Sequence, residues 1–315
     1  MNVSETAALL AAQDHILILT HKRPDGDTIG CAAGLCAALR ALGKTAWALP
    51  NSDVSSLFAP YLEPYLVPAE VQPAFVVTVD LAARSLFTQE GEAWLKRGID
   101  LAIDHHPSYE GFGKESCVDP GRAACGELIY DIVREWGPVT AEIALPLYVA
   151  VSTDTGCFQY SNTTPATHRI AAALMETGID YAALNKKHFR TKSFQRLALE
   201  GRLTAEMEFH DGGKIAIAAV PLSLAAELGA SAADMEDIAA FPGQIEGVET
   251  AVTIKEKEDG GCKLSVRTTG GLNASKVCGL LGGGGHAAAA GGSIPVPLEQ
   301  AKAAVLEAIR TVQHG

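Results

Sequence analysis

A short polar turn near the N-terminus concentrates side chains that bind metal ions. His21, Asp25 and Asp27 lie within seven residues, directly after the apolar run 15–20. One imidazole and two carboxylates suit Mn²⁺, Mg²⁺ or Zn²⁺. A proline and a glycine inside the segment favour a tight turn that lets the three side chains converge. For this segment alone, an Asp-rich surface turn without a ligand is an equal alternative, because Asp and Gly are common in turns for backbone reasons.

Further acidic and imidazole side chains follow other predicted elements at matching positions. They are Asp80, the triplet Asp104-His105-His106, and Asp154. Asp80 and the triplet each end a short apolar run, and Asp154 follows a helical stretch. Since ligands bind beyond the carboxyl ends of parallel strands, we expect these groups to face one crevice. Buried charges need pairing or a metal ion, so the combined groups predict a site that holds cations.

Short apolar runs alternate with helical patterns in the first half of the chain, which is typical of a parallel sheet flanked by helices. The predicted strands are 15–20, 45–49, 75–79 and 99–103, and the predicted helices are 28–42, 141–152 and 165–177. In the second half we expect strands 214–220, 250–257 and 263–268, the last two joined by a hairpin at Asp259-Gly260-Gly261. The predicted fold is α/β: an N-terminal mostly parallel sheet flanked by helices, plus a smaller C-terminal α/β domain, with the active site in the interdomain cleft.

The length of 315 residues exceeds the size at which one hydrophobic core usually stops growing. We predict a first domain over residues 1–184, a connector over 185–202 and a second domain over 203–315. The connector is defined by its composition, since it holds six Lys or Arg residues and a single Glu. Such a basic run is more often a solvated face than a substrate contact.

The formal net charge of −12 disfavours binding to long duplex nucleic acid, whose affinity depends on many Lys and Arg contacts to phosphates. No apolar run reaches the roughly 18 residues of a membrane span, and the N-terminus lacks the features of a secretion signal. We therefore expect a cytoplasmic protein without a membrane partner. Seven cysteines without a Cys-x-x-Cys pair indicate reduced thiols rather than a disulfide framework.

Taken in order, the motifs resemble those of the DHH phosphoesterase family. They are His-x-x-x-Asp-x-Asp at 21–27, Asp80 alone, the namesake triplet Asp104-His105-His106, and Asp154. In the second half, Gly282-Gly283-Gly284-Gly285-His286 followed by Ala289-Ala290-Gly291 is similar to the Gly-Gly-Gly-His-x-x-Ala-Ala-Gly signature of the DHH-associated domain. The resemblance covers nearly the whole chain.

The resemblance implies two divalent metal ions, with Mn²⁺ expected first and Mg²⁺ or Co²⁺ as alternatives. The implied metal ligands are His21 and Asp25 for one ion, Asp27, His105 and Asp154 for the other, and Asp80 as a bridge between them. The first domain would then be the catalytic one and the second the substrate-binding one. Two such ions can lower the pKa of a shared water from 15.7 to about 7 and clamp phosphate oxygens. The implied reaction is phosphoester hydrolysis.

Three residues are implied to take part in catalysis. Asp80 would do so as the bridging ligand, and Asp104 would orient the imidazoles from behind. His106 would contact the scissile phosphate or protonate the leaving oxygen.

Candidate substrate contacts lie mainly in the second half of the chain. Arg267, at the end of a predicted strand, could form a bidentate fork with phosphate, and the family places an arginine there too. Gly283, Gly284 and Gly285 would let the backbone approach a phosphate and leave His286 facing it, with a helix N-terminus as one setting. Asn273 and Arg84 are weaker candidates, since Asn before a helix usually caps it. The alternatives are a flexible glycine linker and a solvated arginine.

Length and layout favour the stand-alone type of the family, the nano-RNase or bifunctional oligoribonuclease and PAP phosphatase type. It would hydrolyse short oligoribonucleotides, including linear dinucleotides, to mononucleotides and 3′-phosphoadenosine 5′-phosphate (PAP) to AMP. The alternatives are a phosphodiesterase for cyclic di-AMP or pApA, an inorganic pyrophosphatase or polyphosphatase, and a catalytically silent nucleotide-binding module. The silent module predicts lost ligands, whereas the implied set is present. A homodimer is left open.

Overall fold

The structure is a computed structural model that describes residues 1–231, 233–235 and 238–314. The chain divides into two compact units, Met1–Thr191 and Lys192–Gly315. The helices of the first unit are α1 (Val3–Ala11), α2 (Gly26–Ala41), α3 (Ala59–Leu62), α4 (Glu92–Arg97), α5 (Cys125–Arg134), α6 (Ala141–Asp154), α7 (Pro165–Glu176) and α8 (Tyr181–Asn185). Its strands are β1 (Ile16–Leu19), β2 (Ala46–Ala48), β3 (Phe75–Val79), β4 (Ile99–Asp104) and β5 (Gly113–Val118).

The second unit contains its own helices and strands. The helices are α9 (Phe194–Glu206), α10 (Leu222–Leu228), α11 (Ala274–Leu280) and α12 (Leu298–His314). The strands are β6 (Glu208–His210), β7 (Ile215–Val220), β8 (Thr250–Glu256), β9 (Cys262–Thr268), β10 (Gly284–Gly285) and β11 (Ala289–Ile294). Residues 185–202, the predicted connector, run from the end of α8 through a π-helical turn, Lys186–Arg190, into α9.

The sheet of the first unit is parallel throughout, in the order β2-β1-β3-β4-β5. Strands β1 to β4 are largely apolar on both faces because both faces are covered, whereas the edge strand β5 exposes polar residues. One face packs against α2, α5 and α6, and the other forms a smaller core around Phe87 and Phe112. The strand order reverses between β1 and β3, and ligands bind in open α/β sheets at this switch point. The predicted α/β class with a flanked parallel sheet is confirmed.

Helices α2 and α6 approach each other closely through a row of glycines. Gly26, Gly30 and Gly34 recur every four residues on one face of α2. A Cβ atom on Gly30 would lie 2.3 Å from the carbonyl oxygen of Pro146, and one on Gly26 would lie 2.3 Å from Thr153 Oγ1. Side chains at these positions would therefore push the helices apart. The close approach brings the first turn of α2 next to the last turn of α6.

The sheet of the second unit is mixed, in the order β10-β11-β9-β8-β7-β6. Strands β7 and β8 are parallel, whereas β8 and β9 form the predicted antiparallel hairpin. One face of the sheet packs against α11 and α12. On the other face, α9, α10 and the 3₁₀ segment Ile238–Gln244 cover the part built from β7 and β8. Throughout the residues that the structure describes, no helix is both long and apolar enough to cross a membrane.

Candidate metal centre

The side chains predicted to bind metal gather at the carboxyl edge of the parallel sheet. Among the described residues, three sets of candidate ligand atoms lie within 4.8 Å of one another, and one of them joins Asp80 and His105 to His106. The other two consist only of predicted metal ligands. We call His21, Asp25 and Asp80 the outer group, and Asp27, His105 and Asp154 the inner group. The two names reflect burial, because the Asp25 side chain is 59% exposed and that of Asp27 is fully buried.

Asp80 belongs to the outer group and also approaches the inner group. Its Oδ2 is 3.8 Å from His21 Nε2, and its Oδ1 is 3.4 Å from His105 Nε2. In the inner group, His105 Nε2 is also 3.6 Å from Asp154 Oδ2 and 3.8 Å from Asp27 Oδ2. The arrangement therefore places one carboxylate within reach of both groups.

The chemistry of these side chains fits divalent cations. Asp80 is 3% exposed, and its Oδ1 makes no hydrogen bond to any residue that the structure describes. Burial and the nearby charges of Asp80 and Asp154 raise the pKa of Asp27 well above its usual range. Burial, together with Asp80 and Asp25, raises the pKa of Asp154 to about 6. Carboxylates this crowded and this poorly solvated are costly unless cations offset their charge.

The imidazole of the inner group responds to the same crowding. Burial works against protonation of His105, but the nearby carboxylates of Asp80 and Asp27 raise its pKa to about 10. The protonated ring therefore offsets part of the negative charge of the carboxylates, as a cation would. Metal binding to His105 would release this proton.

The outer group is held largely by its own turn. His21 Nδ1 lies 2.8 Å from the carbonyl oxygen of Lys22, which leaves Nε2 facing Asp25 and Asp80. Asn51 Nδ2 donates to the carbonyl oxygen of His21 at 2.9 Å and anchors the turn. Asp25 is the N-cap of α2, since its Oδ1 accepts from the backbone nitrogens of Asp27 and Thr28. Asp25 thus combines the ordinary role of a helix cap with the position of a ligand.

Asp80 is held in a left-handed backbone conformation. Its φ is +54°, which costs a non-glycine residue on the order of 1–3 kcal/mol and persists only when the surroundings fix it. Its backbone nitrogen donates to the carbonyl oxygen of Ile103 at 2.9 Å. Thr28 Oγ1 donates to the carbonyl oxygen of Val79 at 2.9 Å and ties the end of β3 to α2. These contacts aim the Asp80 carboxylate into the site.

The inner group is held by one distant segment, residues 119–126, which runs from the end of β5 into the first turn of α5. The Asp27 carboxylate accepts from the backbone nitrogens of Cys125 at 2.6 Å and Gly126 at 2.9 Å. These are the first two residues of α5, so the buried carboxylate lies at a helix N-terminus. His105 Nδ1 lies 3.1 Å from the carbonyl oxygen of Arg122, which leaves Nε2 for a ligand.

The same segment reaches the third member of the inner group through Asn162. Asn162 Nδ2 donates to the carbonyl oxygen of Asp154 at 3.1 Å and to that of Ala123 at 3.0 Å. The Arg122 guanidinium fixes the segment, because it pairs with Asp119 at 3.1 Å and with Asp131 at 2.7 Å. Sequence reasoning missed these positioning residues. The Asp-Pro-Gly run at 119–121 signals a turn but does not reveal what the turn contacts.

The two remaining residues of the namesake triplet form a pair. His106 Nδ1 lies 2.8 Å from Asp104 Oδ1, and this hydrogen bond raises the pKa of His106. The His106 side chain is 43% exposed, and its Nδ1 is 3.5 Å from Asp80 Oδ1. Asp104 is buried and contacts this imidazole, whereas His105 is oriented by the Arg122 carbonyl instead.

The candidate substrate residues of the second unit gather around β9, β10 and β11. Arg267 is exposed on β9 and donates to the carbonyl oxygen of Val266 at 3.1 Å. It lines a cavity of about 480 Å³ together with Gly284 and Gly285. His286 follows β10 and is exposed, and its backbone nitrogen donates to the carbonyl oxygen of Ala289 at 2.8 Å.

The suggested helix N-terminus at the glycine run is wrong. Gly284 and Gly285 form β10, which pairs with β11 in an antiparallel ladder. A Cβ atom on Gly283 would lie 2.4 Å from the carbonyl oxygen of Gly291, so close strand packing requires the glycine. The run was misjudged because a glycine-rich strand lacks the β-branched residues that identify strands in a sequence.

Two weaker candidates have visible structural roles. Asn273 caps α11, since its Oδ1 accepts from the backbone nitrogen of Lys276 at 3.1 Å. Arg84 is exposed in the first unit, and its guanidinium carbon lies 5.8 Å from the centre of the Phe112 ring. Neither contact assigns a ligand to these residues.

Comparison with known proteins identifies both halves of the chain. The DHH family, N-terminal domain, matches residues 15–186, and the DHHA1 domain matches residues 212–314. A bifunctional oligoribonuclease and PAP phosphatase NrnA from Thermus thermophilus is 37% identical over 310 residues, which cover 96% of this chain and 91% of the relative.

Solved structures share the fold. An exopolyphosphatase-related protein from Bacteroides fragilis aligns with a TM-score of 0.87 at 22% identity, covering 98% of this chain and 95% of that one. A structure of exonuclease RecJ bound to manganese aligns with a TM-score of 0.51 at 13% identity, covering 100% and 95%. The motifs, the fold and the sequence identity to the Thermus protein agree, and the chain belongs to the DHH family.

Proposed function

We propose that this chain is a two-metal phosphoesterase that hydrolyses short oligoribonucleotides to mononucleotides and PAP to AMP. The observation that carries the proposal is the pair of ligand groups that share Asp80 at one sheet edge. The Thermus relative, 37% identical over nearly the whole chain, is named for both activities. Its identity extends over both units, which supports a common substrate class.

The proposed cofactor is a pair of divalent ions, with Mn²⁺ first. His21, Asp25 and Asp80 would hold one ion, and the inner group with Asp80 would hold the other. Carboxylate and imidazole ligands suit Mn²⁺, and the RecJ structure of the same fold was solved with manganese. When bound, such a pair supplies a water acidic enough to ionise near neutrality and offsets charge on the phosphate.

His106 and Asp104 are proposed to handle the proton on the leaving side. The hydrogen bond from His106 Nδ1 to Asp104 leaves Nε2 as the nitrogen that can donate to a phosphate or leaving oxygen. The raised pKa of His106 keeps this ring protonated nearer to neutral pH. A general acid works best when its pKa lies close to the working pH.

The second unit is proposed to bind the substrate. Arg267 carries a guanidinium that matches phosphate geometry, and Gly283, Gly284, Gly285 and His286 expose backbone and imidazole groups beside it. Asn273 and Arg84 are proposed as weaker contacts, since each already has a structural role.

A Mn²⁺-supplemented hydrolysis screen tests the function. The substrates are the dinucleotide pApA, PAP, cyclic di-AMP and pyrophosphate, each followed by product separation. We expect AMP from pApA and from PAP. Hydrolysis of pyrophosphate alone would assign the chain to inorganic pyrophosphatases, and no hydrolysis with bound nucleotide would assign it to silent binding modules.

A further inference from the structure

The sheet of the second unit has one face that is only half covered by its own helices. Leu264 and Val266 of β9 point into the core formed with α11 and α12. On the opposite face, Ala216, Ala218 and Ala251 of β7 and β8 belong to the core that α9 and α10 cover. That face continues across β9 and β11, where it carries polar and small residues.

The outward residues of β9 form a cationic row. Successive side chains on a strand alternate between faces, so Lys263, Ser265 and Arg267 lie on the face opposite Leu264 and Val266. Lys263 and Arg267 are exposed, whereas Leu264 and Val266, which point to the other face, are buried. Four residues at about 3.3 Å each separate the Cα atoms of Lys263 and Arg267 by roughly 13 Å along the strand.

The neighbouring strand provides a floor of small residues beside this row. In the register of β9 and β11, Ala289 lies opposite Arg267, Gly291 opposite Ser265, and Ser293 opposite Lys263. Small side chains leave the backbone accessible to a ligand that lies along the strands. Lys263, Ser265 and Arg267 line the same cavity of about 480 Å³.

The charges on this row are not offset locally. Within the described part of the chain, neither Lys263 nor Arg267 forms an ion pair with a carboxylate. Three other cations of this unit are paired: Lys257 with Asp259, Lys302 with Glu208, and Arg202 with Glu206. The chain as a whole is acidic, with a net charge of −12. Two unpaired cations beside small residues therefore form a surface that attracts anions locally.

We propose that Lys263 binds a second backbone phosphate of oligoribonucleotides of three or more nucleotides, with Ser265 between it and Arg267. The inference rests on the proposed function, because it extends the phosphate contact assigned to Arg267. When both side chains extend in parallel from β9, their charges lie further apart than neighbouring phosphates in a nucleic-acid strand. A dinucleotide is therefore too short to engage both cations, and the contact discriminates between substrates by length.

The test compares Lys263→Gln with the parent chain on a ladder of oligoribonucleotides from two to five nucleotides. We expect the variant to raise KM for the tetranucleotide by about threefold to tenfold and to leave dinucleotide hydrolysis unchanged. The slope of log(kcat/KM) against log[salt] should become shallower by about 0.7 for the tetranucleotide alone, as expected for one lost contact to a single strand. The control is Arg310→Gln, which removes the same charge from an exposed position on α12.

The outcomes separate the inference from the proposed function. Equal losses on the dinucleotide and tetranucleotide would overturn the inference, because Lys263 would then share one phosphate with Arg267. Unchanged kinetics on every length would overturn it as well, and so would the same change in Arg310→Gln. In each of these cases the parent chain still cleaves the dinucleotide, and the proposed function stands. If the parent chain cleaves no oligoribonucleotide, both the inference about Lys263 and the proposed function are contradicted.

Discussion

The inner and outer groups of the candidate metal centre are built from the same residue types but are supported differently. The outer group depends on its own turn, with His21 bonded to the adjacent residue and Asp25 capping the helix that follows. The inner group depends on residues 119–126, which lie far from Asp27 in sequence and reach it through backbone nitrogens. We infer that the inner group is the preorganised half of the site and the outer group the adaptable half.

The largest effect is expected where the two groups meet. Asp80→Asn keeps the shape of the side chain but removes the charge that lies between them. Residues behind metal ligands typically contribute 10–100-fold to affinity or activity, so loss of a bridging ligand should cost more than about a hundredfold in kcat. Hydrolysis of pApA at saturating Mn²⁺ measures this. Activity within tenfold of the parent would show that Asp80 does not join the two groups.

Two asparagines offer a matched comparison of the groups. Asn162→Ala removes the bridge from Asp154 to Ala123, and Asn51→Ala removes the anchor of the His21 carbonyl. We expect Asn162→Ala to lower Mn²⁺ affinity or activity by about 10–100-fold. Asn51→Ala should have a smaller effect, because the outer turn keeps its own hydrogen bonds. Mn²⁺ titrations followed by calorimetry and by activity distinguish the two variants. Equal losses of Mn²⁺ affinity or activity would contradict the division into a preorganised inner group and an adaptable outer group.

The metal-free protein is expected to lose stability as the pH rises. The pKa of His105 is about 10 in the folded chain, raised against burial by Asp80 and Asp27, and about 6.5 when unfolded. Its contribution is therefore complete below pH 6.5 and is lost as the pH approaches about 10. Asp154, whose pKa rises from 3.8 to about 6, acts in the same direction at lower pH.

Thermal unfolding after chelator treatment, between pH 7 and 9, measures this dependence. Tm should fall over the range, and His105→Gln should flatten the fall above pH 6.5. Mn²⁺ should raise Tm most at high pH, where it does not compete with protons for the ligands. A Tm that increases with pH in the metal-free protein would contradict the assignment of His105 to a crowded anionic site.

The smallest effect on folding stability is expected at the exposed end of the outer group. Asp25→Ala removes both the candidate ligand and the helix cap, and the lost cap should cost about 1 kcal/mol in the free energy of unfolding. Asp25→Asn keeps a capping oxygen and should retain that stability while weakening the outer ion. Urea unfolding and activity at low and high Mn²⁺ separate the two roles. Equal stability of both variants would show that the cap contributes nothing.

Much of this architecture could be predicted from local sequence patterns. Strands β1 to β4 were found because burial on both faces makes them continuous apolar runs. Strand β5 was missed because it lies at the sheet edge, where Lys114 and Glu115 are exposed. The glycine strand β10 was missed for the opposite reason, since it has no side chains to produce a pattern.

The same contrast applies to the site. The candidate ligands were identified because their side chains form recognisable motifs. The groups that hold them were not, because they act through backbone atoms: Cys125 and Gly126 donate amide hydrogens, and Arg122 offers a carbonyl. Any residue provides these groups, so their partners emerge only once the fold brings distant segments together. The row of glycines between α2 and α6 gives the same result. Its four-residue spacing can be read from the sequence, but the sequence does not show that α6 is the helix it contacts.

The most direct test of the shared site is a crystal structure grown with Mn²⁺, with the ions located by anomalous scattering. We predict two ions about 3.5–4 Å apart. His21 and Asp25 should bind one, Asp27, His105 and Asp154 the other, and Asp80 both. A single ion, or ions bound elsewhere with these side chains unligated, would contradict the account.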